Sequence, residues 1–210
     1  MEIKDLGLID YQEAWNLQRQ YTDKVIINRQ DSYLLVCEHP SVLTLGRLAD
    51  RAHILFSENE LGQKGVSIIP IDRGGEITLH APGQLVVYPI LDLQRYGKDL
   101  HGYLHKLEQV GIDFLRYFDI MGERISGKTG VWIDGRKIMS IGIGVRKWVS
   151  YHGMGININT DLSLFKMIRP CGMDVVMTSL ENELGKKIDM QEIKQRILYF
   201  FNKEFELQYV

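Results

Sequence analysis

At 210 residues, 45% of them apolar and 25% charged, with a formal net charge of −2, the chain has the size and composition of one compact globular unit. A chain of this length buries roughly 70% of the surface that its unfolded form exposes, so stability requires neither disulfides nor a structural metal. The two cysteines, Cys37 and Cys171, lie far apart with no second Cys or His at metal-ligand spacing, which argues against zinc and disulfide-framework classes and fits a reducing compartment.

The first residues lack a basic region followed by an apolar run, and no apolar stretch reaches bilayer-spanning length. The expectation is a soluble, cytoplasmic protein with no membrane or nucleic-acid partner, acting as a monomer. In chain order, Asp10-Tyr-Gln-Glu13 is an acidic variant of a capping box and predicts a helix to about residue 24, with Trp15, Leu17 and Tyr21 available for packing. Residues 33–37 read as a buried strand. Residues 66–71 and 85–91 are strand-like and enclose two polar, glycine-bearing stretches at Arg73-Gly-Gly and Ala81-Pro-Gly. The spacing of Leu100, Leu104, Leu107, Ile112, Leu115 and Phe118 predicts a helix over 98–118, against which Gly111 counts. Asp134-Gly135 between two apolar runs predicts a two-residue hairpin joining 131–133 to 137–145. From about residue 178 two helices follow, the last with a stripe of Ile193, Ile197, Phe200 and Phe201. No repeat or linker divides the chain, so the reading is a single α+β (mixed α/β) domain over residues 1–210, with helices flanking a mixed sheet.

Three clusters carry chemistry. The first runs from Arg73 to Gln84, where Gly74, Gly75 and Gly83 permit close backbone approach and Arg73 is a permanently charged planar donor beside His80 and Gln84. The alternative is an ordinary tight turn. The second is Pro170-Cys171-Gly172, a thiol in a turn; a free cysteine is more often packing, and a nucleophilic one needs a base nearby, for which Lys137, His80 and His152 are the candidates. The third is the strand at 137–145. Strict alternation puts Lys137 on one face with Met139, Ile141, Ile143 and Val145, directed inward, where desolvation disfavours an ammonium. The alternative is a lysine whose head reaches water. On the other face Ser140, Gly142 and Gly144 leave room for a second backbone or an extended ligand such as an acyl chain. His152, Gly153 and Asn157 add polar groups downstream, although a lone histidine is more often structural.

These motifs occur in an order that resembles the lipoyl(octanoyl) transferases: Arg73-Gly-Gly-x-x-Thr78-x-His80-x-Pro82-Gly83-Gln84-Leu85, Lys137-Ile-x-x-Ile-Gly, His152-Gly153-x-x-x-Asn157, Asp161-Leu-x-x-Phe165 and Pro170-Cys171-Gly172, preceded by Glu38-His39-Pro40 and Thr44-Leu45-Gly46-Arg47. The resemblance covers about residues 11–185. It implies the fold of the biotin and lipoate protein ligases, with Cys171 as acyl-accepting nucleophile and Lys137 as its partner. It further implies that Arg73, Gly74, Gly75, His80, Gly83 and Gln84 form a substrate-binding loop and that His152, Gly153 and Asn157 line the site; Ser140, Ile141 and Gly142, on the strand that carries Lys137, complete the expected substrate-binding set. The implied donor is octanoyl-acyl carrier protein. The implied acceptors are the lipoyl domains of 2-oxoacid dehydrogenases and the glycine cleavage H protein. Thioester-to-amide exchange is downhill, so no cofactor, metal or ATP is expected.

Two positions depart from the family pattern, Leu79 where Tyr is common and Ala81 where Gly is common, which bears on acyl-chain preference. Residues 124–169 hold eight basic side chains (Arg124, Lys128, Arg136, Lys137, Arg146, Lys147, Lys166, Arg169) against Asp134 and Asp161, a local charge of +6 on an acidic remainder. Such a field suits an acidic carrier protein. The competing readings are an ATP-dependent lipoate or biotin ligase, an amidotransferase between lipoyl domains, and a non-catalytic module that holds acylated proteins.

Overall fold

The computed structural model describes residues 1–169 and 175–206. In chain order the elements are β1 (Glu2–Leu8), α1 (Tyr11–Ile27), β2 (Tyr33–Glu38), β3 (Val42–Leu45), α2 (Glu58–Gln63), β4 (Ser67–Pro70), β5 (Ile77–His80), β6 (Gln84–Ile90), α3 (Leu100–Arg116), β7 (Glu123–Ile125), β8 (Lys128–Ile133), β9 (Arg136–Arg146), β10 (Val149–Asn157), α4 (Leu180–Leu184) and α5 (Met190–Phe205). A seven-stranded sheet runs β1-β2-β6-β10-β9-β8-β7, in which β1 and β2 are parallel and the other pairs antiparallel. A second sheet, β4-β3-β5, was not anticipated as separate; its β3 is parallel to β4 and antiparallel to β5.

Alternation in β2 and β6 divides the core in two. Leu34, Val36, Leu85 and Val87 join Leu107, Phe114, Ile197 and Phe201 of α3 and α5. Leu35, Cys37, Val86 and Tyr88 face the other way, against Ala14 and Val25 of α1. Strands buried on both faces read as unbroken apolar runs, which is why β2 and β6 stand out in the sequence. Helix α1 begins as expected, with the Asp10 carboxylate accepting from the Gln12 and Glu13 amides.

Gly111 does not break α3. A Cβ there would lie 2.7 Å from Met139 Sδ and 3.0 Å from Val131, so the glycine lets the helix close on β8 and β9. The Asp134-Gly135 turn has both residues at positive φ, 47° and 74°, as a two-residue hairpin requires. The β9–β10 connection uses the same geometry at Lys147 (φ 50°) and Trp148 (φ 65°), residue types that give no turn signal.

Strand β10 is the centre of the large sheet and holds two irregularities. His152 has φ 54° and donates its amide to Gln18 Oε1 of α1 at 2.8 Å. At Gly153 a Cβ would run into the Val87 carbonyl oxygen and come within 2.7 Å of Pro89 Cδ. Gly153→Ala is therefore expected to destabilise the fold by about 1–3 kcal/mol through overpacking against backbone, read as a lowered denaturation midpoint; an unchanged midpoint would contradict the register given for β6 and β10.

Candidate active site

Lys137 does not share a face with Met139. Val131 pairs with Met139 and Trp132 with Lys137, so two residues of β9 advance for one of β8 and Ile138 is the extra residue of a β-bulge. Successive residues of β8 face opposite ways, so Lys137 lies on the Trp132 side together with Ser140 and Gly142. Ile138 and Met139 are both buried in the helix-side core. Strict alternation fails here because a bulge inverts the parity of everything before it. Lys137 is thus turned to the cleft, with Nζ 5.2 Å from the centre of the Trp132 ring. Gly130 leaves the space for it, since a Cβ there would lie 2.7 Å from Lys137 Cε.

The cleft lies between β9 and the loop that joins β4 to β5. Gly74 donates to the Ile143 carbonyl at 2.8 Å, and a Cβ on Gly142 would meet Arg73 Cδ at 2.9 Å. The room at Gly142 is therefore taken by the Arg73 side chain and the Gly74 carbonyl, and that at Gly144 by the Tyr151 ring. Arg73 is buried, and its guanidinium donates to the Thr44 carbonyl and hydroxyl at 2.8 and 2.9 Å and to the Gly74 carbonyl at 2.9 Å, bracing the loop on the small sheet. A cavity of about 330 Å³ opens along this seam, lined by Lys137, Trp132, Thr129, Ser140, Ile141, Gly142, Arg73, Gly74, Gly75, Phe165 and Met177 among others. That volume is at the lower end for small-molecule sites. A smaller cavity shares Arg73, Thr78, Ser140, Ile141 and Gly142 with it and adds Tyr11, His80, Tyr88, His152, Gly153 and Gly155.

Gly83, Gln84 and Asn157 line neither cavity. They stand behind the wall. Gly83, at φ 83°, accepts from the Ile158 and Asn159 amides and donates to Glu38. Gln84 Oε1 meets His80 Nδ1 at 2.7 Å, while its Nε2 donates to Asn157 Oδ1 at 2.9 Å and to the Leu79 carbonyl at 3.2 Å. Asn157 Nδ2 donates to the Thr178 carbonyl at 3.0 Å. Each amide is oriented by the next carbonyl, so His80 carries its proton on Nδ1. Burial holds the His80 imidazole down at about 3 and lowers His39 and His152 as well. His152 Nε2 donates to Asp72 at 3.0 Å. That bond, followed by one from the Tyr151 hydroxyl at 2.9 Å, pulls the Asp72 carboxyl to about 2 against the opposing effect of its partial burial.

Cys171 lies outside the described residues. Both flanks are placed: the Arg169 amide donates to the His53 carbonyl at 2.8 Å, and beyond it the Lys137 amide donates to Val176 O at 2.8 Å while Thr178 N donates to Lys137 O at 2.9 Å. Cys37 is fully buried, and burial pushes its thiol up. The +6 segment is partly neutralised from elsewhere, because Arg124 pairs with Glu108, Arg136 with Glu183 and Arg146 with Asp23. Leu79 and Ala81 line neither cavity and pack in the cluster that holds Leu43, Leu61 and Phe165. Tyr11, Trp132 and Thr178 carry no sequence signal as site neighbours, whereas Gly130, a lone glycine in a strand, does.

The sequence model of the lipoyl protein ligase A/B catalytic domain matches residues 10–202. The chain belongs to that family. Within it the chain is 41% identical to an octanoyltransferase of Cytophaga hutchinsonii, over 98% of this chain and 92% of the relative, and 43% identical to an octanoyltransferase of Bacteroides fragilis, over 92% of each. The fold is that of a bipartite lipoate protein ligase from Thermoplasma acidophilum (TM-score 0.72, 15% identity, 100% of this chain and 86% of the other) and of the biotin protein ligase from Aquifex aeolicus (TM-score 0.61, 16% identity, 98% and 70%). An octanoyltransferase of this family is an acyltransferase.

The buried neutral histidines give the protein a definite acid response. Unfolded, each takes up its proton near 6.5, whereas folded His80 does so only at about 3. Between those values the unfolded chain binds more protons, so stability is complete above about 6.5 and declines as pH falls, by at most about 1.4 kcal/mol per pH unit per histidine. Thermal unfolding between about pH 7 and 4 should show a falling Tm, with a shallower slope in His80→Gln. Equal slopes would contradict a neutral His80.

Proposed function

We propose that this octanoyltransferase moves an octanoyl group from the thioester of an acyl carrier protein, through a thioester on Cys171, to the ε-amine of a lysine on a lipoyl domain. The observation that carries the reading is similarity to octanoyltransferases over nearly the whole chain. Two features support the residue roles. Lys137 opens into the cleft, and the chain that follows Cys171 is hydrogen-bonded to the Lys137 backbone at Val176 and Thr178. Cys37 is too deeply buried to serve instead.

In the first half-reaction the Lys137 amine takes the Cys171 proton and the thiolate attacks the thioester carbonyl carbon. The tetrahedral oxyanion collapses, the carrier's C–S bond breaks, and the departing thiolate takes the proton back from Lys137, so the carrier leaves as a thiol and the Lys137 amine is neutral again. The Gly74 amide is already given to Ile143, so the oxyanion's donor comes from elsewhere around the loop. In the second half the neutral lysine of the acceptor attacks the Cys171 thioester. The C–S bond breaks, an amide forms, and Lys137 carries the amine proton to the departing thiolate. The energy of the thioester drives the exchange.

Acceptors are the lipoyl domains of 2-oxoacid dehydrogenases and the glycine cleavage H protein. The acidic donor docks against the basic side chains of the 124–169 segment not paired to Glu108, Glu183 and Asp23.

Incubation with octanoyl-acyl carrier protein followed by intact-mass measurement should show one added octanoyl group in the wild type and none in Cys171→Ser. In Lys137→Ala the adduct should form about 10²–10⁴-fold more slowly, the range for loss of a positioned acid–base group. An adduct that persists in Cys171→Ser would overturn the assignment.

A further inference from the structure

We infer that Asn157 is a positioning residue for Lys137 and does not itself bind substrate. The inference rests on Lys137 being the proton-transfer group of the proposed reaction. Strand β10 pairs with β9 as far as Ile156 opposite Met139 and ends at Asn157. Beyond that point its place beside β9 is taken by residues 176–178. The Lys137 amide donates to Val176 O, Thr178 N donates to Lys137 O, and Lys137 bridges Met177 in parallel. Lys137 is thus gripped from both sides, by Trp132 of β8 and by this segment. Asn157 closes the seam between the two strand ends. It is 1% exposed, its Nδ2 donates to Thr178 O at 3.0 Å, and its Oδ1 accepts from Gln84 Nε2, whose own oxygen is held by His80. Both hydrogen-bonding atoms of the Asn157 side chain are directed to protein, and the residue lines neither cavity.

A residue that sets where a reacting amine stands affects turnover, and one that holds substrate affects KM. With octanoyl-acyl carrier protein as donor and a lipoyl domain as acceptor, Asn157→Leu, which keeps shape and removes both bonds, should lower kcat about 10- to 100-fold, as small misplacements of reacting groups do, with KM within about twofold. Asn157→Asp keeps the acceptor for Gln84 and can donate to Thr178 only as the neutral acid. Its kcat, expressed relative to wild type, should therefore fall as pH rises. The titratable neighbours, Glu183 on the Thr178 hydroxyl and His80 on Gln84, are common to both proteins and cancel in that ratio.

A raised KM with unchanged kcat in Asn157→Leu would assign Asn157 to substrate. Wild-type kinetics in both variants, or an Asn157→Asp defect that does not vary with pH, would reduce it to packing. Either outcome overturns the inference, and Asn157→Asp decides the matter if Asn157→Leu does not fold. Lys137→Ala measured in parallel tests the premise separately: unchanged kcat there would remove the proposed role of Lys137 itself.

Discussion

The site depends on one extra residue in a strand. Ile138 sits as a two-for-one step between Val131–Met139 and Trp132–Lys137, and side chains before and after such a step exchange faces. Without it, Lys137 would enter the helix-side core with Met139, where an ammonium would be desolvated and unpaired. With it, the lysine lies across Gly130 against the Trp132 ring and opens into the cleft, while two consecutive apolar residues, Ile138 and Met139, fill the core behind it. Gly111 matches the same feature from the helix side, because only a residue without Cβ lets α3 approach Met139 and Val131 so closely.

Around this step the polar groups form two kinds of environment. Deep in the cleft wall, His39, His80 and His152 are kept neutral by burial and fixed by single-purpose hydrogen bonds, to Ile9 and Tyr88, to Gln84, and to Asp72 respectively. Nearer the surface, three basic side chains of the 124–169 segment, Arg124, Arg136 and Arg146, are tied to carboxylates from other parts of the chain. Counting charges along a stretch of sequence overstates the field it produces, because Glu108, Glu183 and Asp23 arrive from distant elements.

What could be read in the sequence follows from how local its cause is. The Asp10 cap, the Asp134-Gly135 turn and the unbroken apolar runs of β2 and β6 are local, and each appears where the residues indicate. Strand β10 was hidden because His152 at φ 54° and the glycines at 153 and 155 disrupt any period. Its turn was hidden because Lys147 and Trp148 are not residues that favour positive φ. The bulge at Ile138 has no signature within β9 itself; it exists in the pairing with β8. The motif residues split in the same way: Arg73, Gly74, Gly75, Ser140, Ile141, Gly142 and Lys137 meet at one cavity, whereas Gly83, Gln84 and Asn157 serve the wall behind it. Order along the chain could mark them as a set without separating the two duties.

Octanoyl transfer by this route requires Lys137 and Cys171 to work on the same acyl carbon at the cleft. A crystal structure of the protein trapped after reaction with octanoyl-acyl carrier protein is the direct measurement. It should show the octanoyl carbonyl bonded to Cys171 Sγ, Lys137 Nζ within hydrogen-bond distance of that thioester, and the tail lying in the cavity between β9 and the Arg73 loop. Density for the acyl group on another residue, or a thioester on Cys171 with Lys137 turned away and beyond hydrogen-bond reach, would contradict it.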